Sequence, residues 1–469
     1  MGTKLTYIDV DKIINEALRR GVNYIDVRYQ EYRYERLVVE NKVLKTYTSN
    51  INHGVGIRVL VNGYQGYAST SNLSWTSIIE SLEKAISLAR ISKDIGVRID
   101  LENIGTVRDK IVSPFRKDPF DVDPDAKAKL LLDLNKQALE TNGVKSAITM
   151  MGLQRDHRIY ASSNGSYIDV TVRLVGIYHQ SIAGEAGSME RVMDSRSRVA
   201  GYEFIEEYDW TQMISRISSL AIKASKAPTP PAGSYTVVLA PEVVGLLLHE
   251  AFGHASEGDT VDAGASVLAG KLGEKVASEY VTIIDEGIVE GGYYHPYDDE
   301  GVRKRKTIVV ENGVLKNYLT SRHIAKRLGL EPTGNGRAQD YTHIPIVRQT
   351  NYYIEPRDYS FEEILEDVDK GLYVTGKGAT GGQVNPGTGT FTFGVGVSWI
   401  IEKGELKEIV RGVTLSGMIL ETLKQVDAVG KDLEMRTSVF GGCGKQGQMV
   451  RVGFGGPHIR VKKIVVGGR

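Results

Sequence analysis

The stretch PEVVGLLLHEAFGHASEGD, residues 241–259, places His249, Glu250 and His254 within six residues at the end of an apolar run. Pro241 suits a first helical position, where its missing N–H would have no partner anyway. Val243, Val244, Leu246, Leu247 and Leu248 then supply the body of a buried helix. Two imidazoles and a carboxylate at the end of a rigid element read as a metal site. The spacing is unusual, because zinc helices with HExxH carry their histidines four apart on one face. Five apart, on a helix of about 3.6 residues per turn, leaves them roughly 140° around the axis. One ion can be shared only if the helix widens to a π-type turn or breaks. Gly253, just before the second histidine, is the residue expected to permit this. A non-ideal helix is therefore expected between Glu250 and Ala255.

A catalytic zinc takes three protein ligands and keeps one position open. Three residues compete for the third place. Glu257 and Asp259 are close in sequence, and Cys443, the only cysteine, sits in VFGGCGKQGQMVRVG between two glycines. A lone cysteine is commonly a small buried hydrophobe. Flanking glycines pack poorly, however, and they give a thiolate access.

At 469 residues the chain is too long for one simple core, and two domains are expected. A hydrophobic share of 41% and a charged share of 25% are those of an ordinary globular protein. A net charge of zero gives no basic footprint for bulk nucleic-acid binding. The run Arg303–Lys306 reads as a solvated strand edge. One cysteine excludes an intramolecular disulfide. No stretch is apolar enough to span a membrane, and the start has no signal-peptide pattern, so cytoplasmic residence is the expectation. Gly2 and Thr6 match the N-myristoylation pattern, which is short enough to arise by accident.

The N-terminal half reads as mixed α and β. Helices are expected over 9–20, 75–90, 126–140 and 210–226. Strands are expected around Ile25–Tyr29 and Val55–Val59, with a hairpin at Asn62-Gly63, and then over 145–153, 157–162 and 167–178. Residues 105–125 read as an exposed connection. The prolines of 228–231 cannot continue a helix or a central strand, so the boundary falls there. This gives an α+β domain over 1–226, a linker over 227–234 and a β-rich domain over 235–469. In the second domain Tyr235–Leu239 reads as a strand feeding the motif helix. Val281–Thr320 reads as mainly strand, 321–328 as a short helix, and 331–345 as a candidate active-site loop. A hairpin is expected around Lys403-Gly404, a helix over 416–429, and closing strands that carry Cys443.

Gly376–Gly381 fits G-x-G-x-x-G, but GQVNPGTG follows it and cannot open a helix, so the phosphate-cradling geometry fails. No G-x-S-x-G elbow is present.

HEAFGHASEGD (249–259), DDEGV (298–302), EPTGNGR (331–337), GLYV (371–374) and CGKQGQ (443–448) together resemble the TldD/PmbA family of metallopeptidases, in order and spacing, over nearly the whole chain. Both HExxxH and the late cysteine are present, as in the TldD-like branch; the PmbA (TldE)-like branch lacks the metal motif. The resemblance implies that His249, His254 and Cys443 hold zinc, with Glu250 acting on water. It also implies short or unfolded peptides cleaved in an enclosed chamber, and a heterodimer with a PmbA-like chain or a homo-oligomer. The competing expectation is a peptide-binding or maturation factor with a structural zinc closed by Glu257 or Asp259. A role in DNA topology, also attached to the family, gains nothing from the neutral charge.

Overall fold

The computed structural model describes residues 8–185, 187–379 and 381–468. The match at Gly2 and Thr6, and Thr380 of the glycine run, lie outside these. The fold is α+β, with a β-rich C-terminal region.

Helix α1 (Val10–Arg19) starts where Asp9 accepts the Lys12 N–H at 3.0 Å, and it buries Val10, Ile13, Ile14 and Ala17. Two long strands follow, β1 (Tyr24–Glu40) and β2 (Val43–Val61). They turn at Asn41-Lys42, both with positive φ, as a two-residue hairpin requires. The expected hairpin at Asn62-Gly63 leads into β3 (Tyr64–Thr70). Then come α2 (Trp75–Ile95), β4 (Arg108–Val112), α3 (Pro124–Glu140), β5 (Val144–Ser162), β6 (Tyr167–Ala183), β7 (Glu190–Arg198), α4 (Glu203–Glu207) and α5 (Trp210–Ser225). The sheet runs β3-β2-β1-β5-β6-β4, with β7 also on β6, and only the β4–β6 pair is parallel.

The odd-numbered residues of β1 face the helices. Ile25, Val27 and Tyr29 pack with α1 and α2, and Leu37 and Val39 pack with α3 and α5. The even-numbered residues are polar or tyrosine except Val38, and alternation of this kind ordinarily marks a solvated face. Here that face is roofed by the C-terminal half. Asp26, Arg28, Gln30, Gln154 and Asp156 are all buried. Arg58 pairs with Asp26 and with Glu300, both at 2.7 Å, and Arg158 pairs with Asp299 at 2.9 Å. The DDEGV segment thus carries carboxylates that hold the two halves together.

All strands of the first sheet lie within residues 24–198, and those of the remaining sheets begin at β8 (Gly233–Leu239). Lys370–Val374, β8, Ile459–Gly468, Glu405–Met418 and Thr390–Glu402 pair in succession, and the last pairs back to the first. They close a five-stranded barrel. A second sheet contains Ile283–Glu286, Asn351–Ile354 and Gly453–Gly456 among its six strands. Helix α6 (Pro241–Leu247) packs between barrel and sheet, where Val243, Val244 and Leu247 join the largest core. A Cβ on Gly245 would sit 2.4 Å from the Gly455 nitrogen, so helix and strand touch through backbone there.

Several expectations need correction. The exposed connection contains β4, whose short R-D-K-I-V run hides its pairing with β6. The two strands expected over 145–162 are one, because the polar run Gln154–Asp156 is a buried stretch of strand rather than a break. Between 281 and 320 strand is limited to Ile283–Glu286, Thr307–Glu311 and Val314–Leu315. The helix expected over 416–429 is only Ile419–Lys424, with a strand on each side, because the barrel pairs Ser416 and Val426 with Ile459–Gly468. Gly381 leads into a strand, in line with the expectation that GQVNPGTG cannot open a helix. Among the described residues no helix is long and apolar enough to cross a membrane.

Arg58→Met would leave Asp26 and Glu300 buried without their cation. The expected loss is about 3–5 kcal/mol, read from the urea midpoint; a change within about 0.5 kcal/mol would contradict the role given to this pair of contacts.

Candidate metal centre

Helix α6 does not continue as an α-helix. Leu248–Gly253 is one π turn, followed by a single 3₁₀ turn over His254–Ser256. In a π turn residues five apart lie nearly above one another. The rings of His249 and His254 accordingly meet edge to face, 5.3 Å between centroids.

Gly253 contributes differently from the expectation. Its backbone angles, φ −60° and ψ −49°, are ordinary helical values that any residue adopts. What requires glycine is space. A Cβ would lie 2.1 Å from the Gln349 Oε1 and 2.4 Å from its Cδ. Gln349 is fully buried, and its Nε2 donates to the His249 carbonyl at 3.0 Å, inside the widened turn.

Cys443 arrives from the other side on a small hairpin, Cys443–Lys445 with Gln448–Val450, turning at Gln446-Gly447 with positive φ at both. Alternation puts Cys443 and Lys445 on one face. Arg348 holds the strand by donating to the Cys443 and Gln448 carbonyls. The Cys443 Sγ lies 3.3 Å from the His254 Nε2. One ligand atom from each of His249, His254 and Cys443 fits within 4.8 Å of the others.

The two acidic candidates lie behind this group. Glu257 accepts from the His254 Nδ1 at 2.9 Å and from the Lys445 Nζ at 2.9 Å. Asp259 accepts from the same ammonium at 2.7 and 2.8 Å. Neither falls in the three-residue group. Glu257 instead fixes the His254 ring, leaving Nε2 to face the sulfur, which is how carboxylates orient metal-binding histidines. Glu250 lies half-buried on the π turn, and its carboxylate has no hydrogen-bond or ion-pair partner among the described residues.

Burial alone would raise the Cys443 thiol. The two adjacent imidazoles outweigh it and bring the pKa down to about 4. Burial likewise opposes charge on His254, but Glu257 and the sulfur raise it to about 10. Burial opposes ionisation of Glu257, yet His254 and Lys445 hold it at about 2. Asp259 is raised, chiefly by burial and partly by Glu257. A buried thiolate between two imidazoles is a soft donor set suited to zinc. The His249 Nδ1 is buried with no hydrogen-bond partner. An unsatisfied nitrogen on an imidazole of the three-residue group fits a bound cation there.

Comparison with known proteins follows the same line. The PmbA/TldA metallopeptidase C-terminal domain matches residues 232–468, domain 1 matches 25–92 and the central domain matches 117–225. The chain belongs to the PmbA/TldD metallopeptidase family. A metalloprotease of Methanothermobacter thermautotrophicus is 38% identical, over 95% of this chain and 96% of its own. A zinc metalloprotease TldD homologue of Saccharolobus solfataricus is 31% identical, over 97% and 99%. The fold is shared with TldE from Thermococcus kodakarensis, with a TM-score of 0.78, 21% identity and 98% and 100% coverage. It is also shared with a protein of Thermotoga maritima described as a putative modulator of a DNA gyrase, with a TM-score of 0.81, 23% identity and 98% and 99% coverage.

Gln349 was beyond sequence reasoning. It lies in IPIVRQTN, which has no helix or strand period, and its only signal is the glycine it touches. Lys445 was visible beside Cys443, but its carboxylate partners were not. Gly253→Ala is expected to cost about 1–3 kcal/mol by overpacking and to weaken metal binding. Gln349→Ala in the same chain should recover part of that loss. Thermal melting of the two single variants and the double checks this, and strict additivity would contradict the contact.

Proposed function

We propose that the chain is a zinc-dependent peptidase in which His249, His254 and Cys443 hold the ion and Glu250 is the general base. The observation that carries this reading is the three-residue group at the buried π turn, with its orphaned His249 nitrogen. Bound zinc supplies an electrophilic centre that polarises a peptide carbonyl and acidifies water. The Glu250 carboxylate, free of other partners, accepts a proton from water and returns it to the departing amine nitrogen. Glu257 keeps the His254 Nδ1–H in place, and Lys445 keeps Glu257 ionised. With Glu257 and Asp259 engaged by Lys445, the group holds no fourth protein ligand among the described residues. This supports a catalytic site with an open position over a closed structural one.

The substrates in this reading are short or unfolded peptides, taken in an enclosed chamber built with a PmbA-like partner chain or, failing that, a second copy. Among the described residues no strand lies on the outer edge of residues 43–54 of β2, and Val43, Leu44, Tyr47 and Ile51 are exposed there. An unpaired, partly apolar edge supports association through this arm. Cytoplasmic residence and a division into 1–226 and 235–469 about the 227–234 linker belong to the same reading.

Glu250→Gln should retain the metal and lose peptide hydrolysis by about 100- to 10,000-fold, assayed on an unfolded protein substrate with the partner chain supplied. Undiminished hydrolysis would overturn the role of Glu250.

A further inference from the structure

A cavity of about 530 Å³ lies between the polar face of the N-terminal sheet and the loops of the C-terminal half. It is distinct from the three-residue group, but it backs on to it. Arg337 donates to the Gln349 carbonyl, and Gln349 donates to that of His249. Arg451 follows Val450, which pairs with Cys443.

The walls carry four arginines and four aspartates, but three of the guanidiniums, those of Arg28, Arg337 and Arg451, have no carboxylate in contact. Arg28 donates to the Tyr67 hydroxyl and the His343 carbonyl. Arg337 donates only to the carbonyls of Gln349 and Arg451. Arg451 donates to the Gln154 side chain, the Ser438 and Gly441 carbonyls and the Tyr32 hydroxyl. Every acceptor is neutral. Among the described residues none of these three guanidiniums has a carboxylate partner, although Arg58 and Arg158, on the same face, each have two. Arg28 and Arg337 are about 5% and 4% exposed, and the Nε of each is buried with no partner. The His295 Nε2, on the same cavity, is also buried and unpartnered.

The carboxylates of the wall contact other groups, two of them Arg158 of the same wall, and Asp299 acts on Arg28 and Arg337 only through space. Asp156 accepts from Gln30 and Arg158, and Asp299 from Arg158 and the Ala338 N–H. Asp298 accepts three backbone N–H groups, and Asp340 binds Thr342 and His343. Burial and the nearby Arg337, Arg158 and Lys304 depress His295 well below its ordinary value, a second sign of the positive field. Buried cations without counter-charges are costly, and a bound anion relieves them. The volume suits a short peptide end rather than a bare ion. Tyr32, Tyr160 and Tyr293 give the walls apolar faces with polar tips.

We infer that this cavity is a subsite for a peptide carboxylate, with Arg28, Arg337 and Arg451 as its charge partners. It rests on the peptidase reading for the source of the ligand and not for its chemistry. The carboxylate comes either from the C-terminus of a peptide or from an acidic side chain.

The test is calorimetric binding to full-length Glu250→Gln protein as purified, where turnover does not interfere. The probes are acetyl-trialanine, its C-terminal amide, and the amide of acetyl-Ala-Glu-Ala. Acetyl-trialanine is expected to bind at least about tenfold more tightly than its amide. Arg28→Gln and Arg451→Gln should each abolish that preference and leave binding of the amide unchanged. If the glutamate peptide binds as tightly as the free acid, the side chain is an accepted source; if only the free acid gains, the C-terminus is the source. Equal binding of acid and amide, or a preference surviving in both folded arginine variants, overturns the subsite. Because no step depends on hydrolysis, loss of the peptidase reading would leave a positive result standing.

Discussion

The centre depends on one departure from regular geometry. On an α-helix His249 and His254 would point roughly 140° apart, and no placement of Cys443 would bring all three donors together. The π turn over Leu248–Gly253 removes that angle. It needs a partner for a displaced carbonyl and room beside the chain, and Gln349 and Gly253 supply these as one contact. The segment carrying Gln349 also carries Arg348, which fixes the cysteine strand, and Val347, whose carbonyl receives Lys445. One short, nearly period-less stretch therefore sets the distance between histidines and sulfur.

A second constraint is the burial of a polar sheet face. The N-terminal sheet turns its apolar side to its own helices and its charged side to the C-terminal half. Arg58 and Arg158 are matched by carboxylates from the DDEGV loop, and these pairs fix where the 331–345 loop lies. That loop reaches both halves, since the carbonyls of Ala338 and Gln339 accept from Arg158 and that of Ile344 accepts from Gln448. The arginines without a carboxylate in contact lie in the same interface, around the cavity.

What the sequence made legible follows from how local each signal is. The histidine spacing forced a distorted helix because the geometry involves only six residues. The hairpins at Asn62-Gly63 and Lys403-Gly404 were readable for the same reason, since their turns need positive φ at those positions. The mechanism given to Gly253 was wrong, because the space it leaves is demanded by a residue about a hundred positions away. Polar runs such as Gln154–Asp156 looked like a break because burial against another half cannot be seen from period-two alternation. Ser416 and Val426 read as helical until the closure of the barrel claimed them as strand. Glu257 and Asp259 competed with Cys443 as candidates by sequence, and the position of Lys445 explains their place behind His254.

The central claim is that one ion is held by two imidazoles and the single thiolate. X-ray absorption at the zinc edge of the metal-loaded protein tests it most directly. The account predicts one zinc per chain with one sulfur, two imidazole nitrogens and one further light atom around it, and loss of the sulfur signal in Cys443→Ser. A zinc environment of oxygen and nitrogen alone in the unsubstituted chain, or no retained zinc, would contradict it.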